Sequence, residues 1–185
     1  GRTLAPNGAS LRRIASIDLS HMHPRLTHAR FTAMCDVNSP LTGPLGATMT
    51  YGPQKGASTP ALLGELEAGM ENYARALRRA FPGRDVEFPG AGAAGGLGAA
   101  CALFLGAALK PGAEAVLDLT GFDTLLRGAD LAVTGEGRAD AQSVRGKAVA
   151  AVAARCKKAG VPLIALVGSA GPGANALLGC GVTEL

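Results

Sequence analysis

The chain has 185 residues, is 48% hydrophobic and only 4% aromatic, lacks Trp, and carries a net charge of +4. That length holds one domain or parts of two, with a core expected from Ala, Leu and Val. The mild, scattered basic charge and the shortage of stacking aromatics argue against a nucleic-acid-binding face, and the 27 glycines have no Gly-X-Y period, which excludes a collagen.

Residues 1–30 read as irregular, with a helical turn near Ala9–Ile14 and a turn at Asp18–Ser20. His21, His23 and His28 fall together in SHMHPRLTH without a neighbouring acid or Cys, and read as loop surface. Phe31–Cys35 reads as a strand ending in Asp36-Val37-Asn38. Asp36 and Asn38 are common turn residues; an acid at a strand end can equally bind a hydroxyl or a metal. Gly46–Tyr51 allows one or two helical turns, closed by Gly52-Pro53. Gln54-Lys55-Gly56 forms a polar tip in which Lys55 is either a solvated charge or a point charge for a phosphate.

Ser58-Thr59-Pro60 opens a helix, with a capping hydroxyl and Pro in the first turn. Leu62, Leu63, Leu66, Met70, Tyr73, Ala74 and Leu77 make its apolar face. Glu65, Glu67, Glu71, Arg75, Arg78 and Arg79 are expected on its polar side. The segment after Val86-Glu87-Phe88 contains a formal G-x-G-x-x-G at Gly90–Gly95. Pro89 interrupts the preceding run, so a glycine loop feeding a helix from about Leu97 is the better reading, with N–H groups that could meet an anion. Leu97–Leu109 is too short to span a bilayer. Lys110-Pro111-Gly112 is expected to stop that helix, Ala115–Leu119 to be extended, and Gly121–Arg127 to be a short helix.

The richest stretch is ADLAVTGEGRADAQSVRGK, Ala129 to Lys147. A short apolar run breaks at Gly135-Glu136-Gly137. Arg138, Asp140, Gln142, Ser143, Arg145 and Lys147 follow, and a helix is expected from about Ala141 to Ala159. Val161–Val167 reads as a strand buried on both faces of a parallel sheet, ending in the glycine loop 168–173. Residues 129–173 thus read as β-loop-α-β-loop, half of a doubly wound sheet, paired in parallel through a right-handed crossover. Residues 1–128 read as a separate α+β unit. Ligands of such sheets sit at the carboxyl ends of strands, where these loops lie. The bland alternative is a solvated, capped loop.

Cys35, Cys101, Cys156 and Cys180 lack CxxC spacing and sit among apolar residues, as free thiols in a reducing cytoplasm would. No signal-peptide pattern opens the chain. It begins without Met, and GVTEL ends where a strand has just begun, so a piece of a longer chain is expected.

CDVNSPLTGPLGA, YGPQKGA, PGAGAAGGLGAA, GADLAVTGEGRADAQSVRGK and GVPLIALVGS follow one another in an order that resembles bacterial glycerate kinases across nearly the whole chain. The GEG-x-x-D-x-QS-x-x-GK segment is the most distinctive, and it is not a Walker A loop: Ala141 stands five before Gly146, and Ala148 follows Lys147. The resemblance implies an α/β protein, with residues 1–128 as part of an inserted mixed α/β domain and 129–185 as a βαβ portion of a flavodoxin-like (Rossmann-type) domain. It implies a cytoplasmic enzyme that transfers the γ-phosphoryl of ATP to D-glycerate, giving 2-phosphoglycerate, with Mg²⁺. The family's opening strand and closing strands fall outside the chain, so the segment alone is expected to be inactive.

On that resemblance, Asp36, Asp140 and Lys55 are the candidate catalytic residues. Asn38, Gly90, Gly92, Gly95, Gly96, Arg138, Gln142, Ser143 and Lys147 are candidates for substrate or phosphate binding, and Glu136 for Mg²⁺. No nucleic-acid or membrane partner is expected. Two alternatives compete with the kinase: a dinucleotide-binding oxidoreductase domain using Gly90–Gly95, and a non-catalytic binding domain.

Overall fold

The computed structural model describes residues 4–144 and 148–185. The chain divides into two compact units, Gly1–Lys110 and Pro111–Leu185. Each is α/β and contains a short parallel sheet.

In the first unit, a 3-10 helix at Gly8–Arg13, with the Asn7 side chain accepting from Ser10 N–H, precedes β1 (Thr32–Met34). Next come α1 (Ala47–Tyr51) and a 3-10 turn at Pro53–Lys55 that ends on left-handed Gly56. The long helix α2 (Pro60–Ala80) starts as the sequence predicts: the Thr59 side chain accepts from Leu62 N–H and Pro60 fills the first turn. α3 (Ala93–Phe104) opens with left-handed backbone at Ala94, Gly95 and Gly96, so its regular turns start at Leu97, where the glycine pattern places them. β2 (Ala108–Lys110) then pairs with β1 in parallel, Ala33 opposite Leu109. Leu41, Met70, Ala74, Leu77, Val86 and Leu103 form this unit's core, and Phe81 meets Phe104 edge to face at 5.1 Å.

Two readings are corrected here. Residues 108–110 are a strand, not the end of the preceding helix, because they pair with a strand far upstream in sequence. Glu67 lies on the buried side of α2, 7% exposed, not on its solvent face.

The second unit starts with α4 (Gly112–Leu119) and α5 (Phe122–Leu125). α4 replaces the extended segment expected at Ala115–Leu119; its Ala, Leu and Glu favour helix. β3 (Ala132–Glu136), α6 (Ala148–Ala159) and β4 (Leu163–Val167) form the expected β-loop-α-β unit, β3 and β4 pairing in parallel with Ala132 opposite Leu163. α7 (Ala176–Cys180) follows. Residues 141–144 are a turn, and helix is described only from Ala148, later than the Ala141 start expected. Within residues 1–185, Leu163 and Ala165 of β4 are buried and Leu166 is 65% exposed. Ala139, Val149, Ala153, Cys156, Leu163, Ala165 and Leu177 make the core.

Arg155 on α6 ties this unit together. It donates to Glu114 and Asp118 of α4, the latter at 2.7 Å, and to Asp123 of α5 at 2.8 Å. These hydrogen bonds, Glu114 first, hold its guanidinium pKa above its ordinary value. Among the described residues all four cysteines are free, and no helix is long and apolar enough to cross a membrane.

Candidate functional site

The first unit gathers its candidates around two backbone segments, 36–43 and 90–96. Gly92 N–H donates to the Ser39 carbonyl at 3.0 Å. A Cβ on Gly92 would lie 2.1 Å from the Pro40 carbonyl oxygen, so no larger residue permits this approach. Gly90 has φ +89°, and a Cβ there would meet Leu109 and the Cys35 sulfur. The 90–96 segment therefore lies directly on the strand end that carries Asp36 and Asn38, both of whose side chains are on exposed residues.

Beyond Gly92 the chain turns through Ala94 at φ +49°, the sole non-glycine with positive φ among the described residues, and Gly95 at φ +70°. Such conformations are costly outside glycine and gather at functional sites. Ala94 and Gly95 line a cavity of about 760 Å³ together with Val37, Thr48, Tyr51, Gln54 and Lys55, over a floor of Leu66 and Met70. Lys55 and Gly95, selected separately from the sequence, thus share one cavity. Gly96 is buried behind the turn, where a Cβ would approach Leu41 and Tyr73. Burial, and then the neighbouring Cys101, push the Tyr73 phenol above its usual pKa.

The G-x-G-x-x-G does not follow a strand: residues 84–88 are bends and coil and 89–90 a turn. The strand–turn–helix that a dinucleotide fingerprint requires is missing around it, which removes the structural basis for the oxidoreductase alternative.

In the second unit the loops after β3 and β4 run side by side past the strand ends. Gly168 N–H donates to Glu136 O, Ser169 N–H to Gly137 O, Ala139 N–H to Ser169 O and Gly171 N–H to Ala139 O, at 2.8 to 3.2 Å. Gly168 is required by this closeness, since a Cβ would stand 2.7 Å from Gly137 O. Asp140 anchors a tight turn: its Oδ1 accepts from Gln142 N–H at 2.8 Å, its N–H donates to Ser143 Oγ at 3.1 Å, and its carbonyl accepts from Ser143 N–H at 2.9 Å.

Ser143 is fully buried, so its hydroxyl holds the Asp140 turn and does not face a ligand. Arg138 is exposed and lies 3.8 Å from Asp140 Oδ2, a loose pair that leaves the guanidinium able to take another anion. Gln142 is exposed. Lys147, and with it Arg145, lies outside the described residues.

Glu136 ends β3 on the core-facing side. Its Oε1 is buried and has no hydrogen-bond partner among the described residues, although a buried carboxylate oxygen normally has one. No group of three or more His, Cys, Asp or Glu that could hold a metal occurs among the described residues. Mg²⁺ in kinases is commonly held by one or two carboxylates plus substrate phosphates rather than by an all-protein cage. The unpartnered Glu136 oxygen fits that donor set.

Two acids that the sequence reading left without a role hold the 41–43 loop. Glu87 Oε2 accepts from the N–H groups of Leu41 and Thr42, both at 3.1 Å, and its Oε1 accepts from Thr42 Oγ1 at 2.7 Å. Glu67 accepts from Gly43 N–H at 2.6 Å. The sequence reading placed Glu67 on the polar side, although its spacing in the 63, 67, 70, 74, 77 stripe of α2 was a signal that could have found it. Glu87 carried no such signal, because its partners are more than forty residues upstream.

Comparison with known proteins places these motifs. The family model described as the glycerate kinase family matches residues 1–185. The chain is 43% identical over 182 residues to a glycerate kinase of Halalkalibacterium halodurans, covering 98% of this chain and 48% of that protein. It is 41% identical over 169 residues to the glycerate 2-kinase of Escherichia coli, covering 91% and 44%. The crystal structure of a candidate glycerate kinase 2 from Salmonella typhimurium LT2 superposes with a TM-score of 0.82 at 35% identity, over 98% of this chain and 52% of that one. The chain therefore spans about half the length of the relatives it matches. With a match across all its residues and the same fold in a solved relative, the chain belongs to the glycerate kinase family.

Proposed function

We propose that this chain carries residues of an ATP- and Mg²⁺-dependent kinase that phosphorylates D-glycerate to 2-phosphoglycerate, with residues 1–128 as part of the inserted domain and 129–185 as a portion of the flavodoxin-like domain. The observation that carries the reading is the Glu136 oxygen at the head of the Arg138–Asp140 loop, buried and without a hydrogen-bond partner among the described residues. Phosphoryl transfer needs positioned groups and charge neutralisation more than covalent chemistry.

Asp36 of the first unit and Asp140 of the second are each a candidate to orient the glycerate hydroxyl and accept its proton. Lys55 meets phosphate charge at the cavity rim, and Lys147 is assigned the same task. Arg138 takes the glycerate carboxylate through its planar fork. Asn38 and Gln142 supply hydrogen bonds to the substrate, and Ala94 and Gly95 bring the 90–96 turn to the wall of the cavity that Lys55 shares, while the N–H groups of Gly92, Gly95 and Gly96 are taken by backbone carbonyls. Glu136 would hold Mg²⁺, which neutralises phosphate charge as it develops. Because the chain spans about half the length of its relatives, residues 1–185 alone are expected to show little or no turnover.

The test is ADP release with D-glycerate from the intact gene product that contains this chain. Asp140→Asn is the informative variant, because the Asn side-chain carbonyl can still accept from Gln142 N–H and keep the turn. A fall in kcat of about 100-fold or more with unchanged melting is expected. Full activity would remove Asp140 from the mechanism. Turnover with a different hydroxy acid but not with glycerate would keep the kinase and discard the substrate.

A further inference from the structure

We propose that Glu87, seconded by Glu67, is a positioning residue of the kinase: it locks the loop carrying Asp36 and Asn38 onto the 90–96 turn. The inference rests on the kinase reading above and adds to it two residues that touch neither substrate nor phosphate.

Three successive N–H groups, those of Leu41, Thr42 and Gly43, point at carboxylates of this chain itself. Consecutive N–H groups of this kind form an anion-binding nest. Here Glu87 and Glu67 already fill it, so phosphate is not its occupant and the loop has another purpose. Glu87 stands three residues before Gly90, and Gly92 N–H is bonded back to Ser39 O. The segments 87–92 and 39–42 are therefore tied at both ends, and the chain between the ties closes into a ring.

The ring is rigid for physical reasons. Glu87 accepts from two backbone N–H groups and one hydroxyl, and Glu67 from a third N–H, so the loop is held at four points. Glu87 is itself braced: its N–H donates to Asp85 Oδ1 at 2.9 Å and its carboxylate takes Arg78 Nη2 at 3.3 Å. The Gly92 contact has no slack, and Ser39 Oγ is 3.1 Å from Tyr51 OH, which joins α1 to the same frame. Val37, between Asp36 and Asn38, lines the cavity with Lys55 and Gly95. A shift of the 39–42 loop would thus move Asp36 and Asn38 relative to that cavity, and phosphoryl transfer is sensitive to such displacement.

The experiment compares Glu87→Ala, Glu87→Gln and Arg78→Ala in the intact gene product. Glu87→Ala is expected to lower kcat by about 10- to 100-fold and to raise the KM for D-glycerate while the KM for ATP stays within about twofold. Glu87→Gln keeps a carbonyl for the two N–H groups and is expected to recover activity to within about threefold, because the acceptor rather than the charge sets the loop. Arg78→Ala removes only the brace, so its kcat and KM are expected to fall between those of the parent and of Glu87→Ala. A merely structural role would lower the active fraction without altering either KM.

Amide hydrogen exchange on the intact gene product reads the lock without any activity: in Glu87→Ala the amides of 41, 42 and 92 exchange faster while mid-α2 amides keep their protection. If Glu87→Ala fails to fold, Thr42→Val, which deletes only the Oγ1 bond, carries the same comparison. Parental kcat and KM in Glu87→Ala, no recovery in Glu87→Gln, or unchanged exchange at Gly92 would each overturn the proposal. An intact protein inactive toward D-glycerate would defeat the kinase reading instead, and the exchange at Gly92 would still decide whether the ring exists.

Discussion

Gly92→Ala should be among the most damaging single-methyl additions in the first unit, although its φ of −78° suits any residue. The added Cβ would stand 2.1 Å from Pro40 O and 3.0 Å from Pro40 C, both backbone atoms that cannot rotate away. The 39–41 loop must retreat by roughly 1 Å to reach ordinary contact, stretching the 3.0 Å Gly92–Ser39 hydrogen bond beside fully buried Leu41. Overpacking of this kind costs about 1–3 kcal/mol, and the weakened bond adds about 1 kcal/mol. A total of about 2–4 kcal/mol corresponds to a fall of ~1–2 M in the urea midpoint for an ordinary m-value.

The assay is built into the sequence. There is no Trp, and both tyrosines, Tyr51 and Tyr73, lie in the first unit, so tyrosine fluorescence follows that unit alone. Gly95→Ala is the control: nothing lies within 4 Å of its Cβ, and its cost is only that of φ +70°, about 1–2 kcal/mol. A Gly92→Ala variant within about 0.5 kcal/mol of the parent would refute the close approach and with it the tie between the two loops.

Glu67→Ala leaves Gly43 N–H without its acceptor and should destabilise the first unit by about 1–3 kcal/mol, read as a lower urea midpoint by tyrosine fluorescence. Burial raises the Cys156 thiol pKa. The folded state therefore holds its proton longer than the unfolded chain, and this contribution to stability is complete below the ordinary thiol pKa of about 8.5 and lost as pH rises above it. The midpoint of the second unit, followed by circular dichroism from pH 7 to 10, should fall less steeply in Cys156→Ala.

The second unit was the more legible in the sequence because its signals are local. An apolar run, a glycine-bearing polar loop, an Ala-rich helix ending in Lys157-Lys158 and a second apolar run lie in order, and β3, α6 and β4 follow that order. What failed there was detail: the run from Ala141 to Val144 is a turn rather than the first turn of α6, since helix propensity alone does not fix where a helix starts. In the first unit the cap of α2 and the helix start at Leu97 were readable from Thr59-Pro60 and from glycines able to take positive φ. β2 was not, because three residues, Ala108–Lys110, carry too little pattern without sight of their partner. At the candidate site, residue types marked Asp140 and Glu136, but only coordinates show that Ser143 serves the turn and that Glu87 reaches back to Leu41.

The Arg155 junction makes the second unit's tolerance to mutation lopsided. Glu114, Asp118 and Asp123 all converge on one guanidinium, so a lineage that loses any one of them keeps two ties between α6 and the helices before β3. Loss of Arg155 has no such cushion: Glu114, Asp118 and Asp123 would lose at one stroke the cation they share, and with it these ion-pair ties of α4 and α5 to α6. Drift is thus cheaper at each of the three acids than at the arginine.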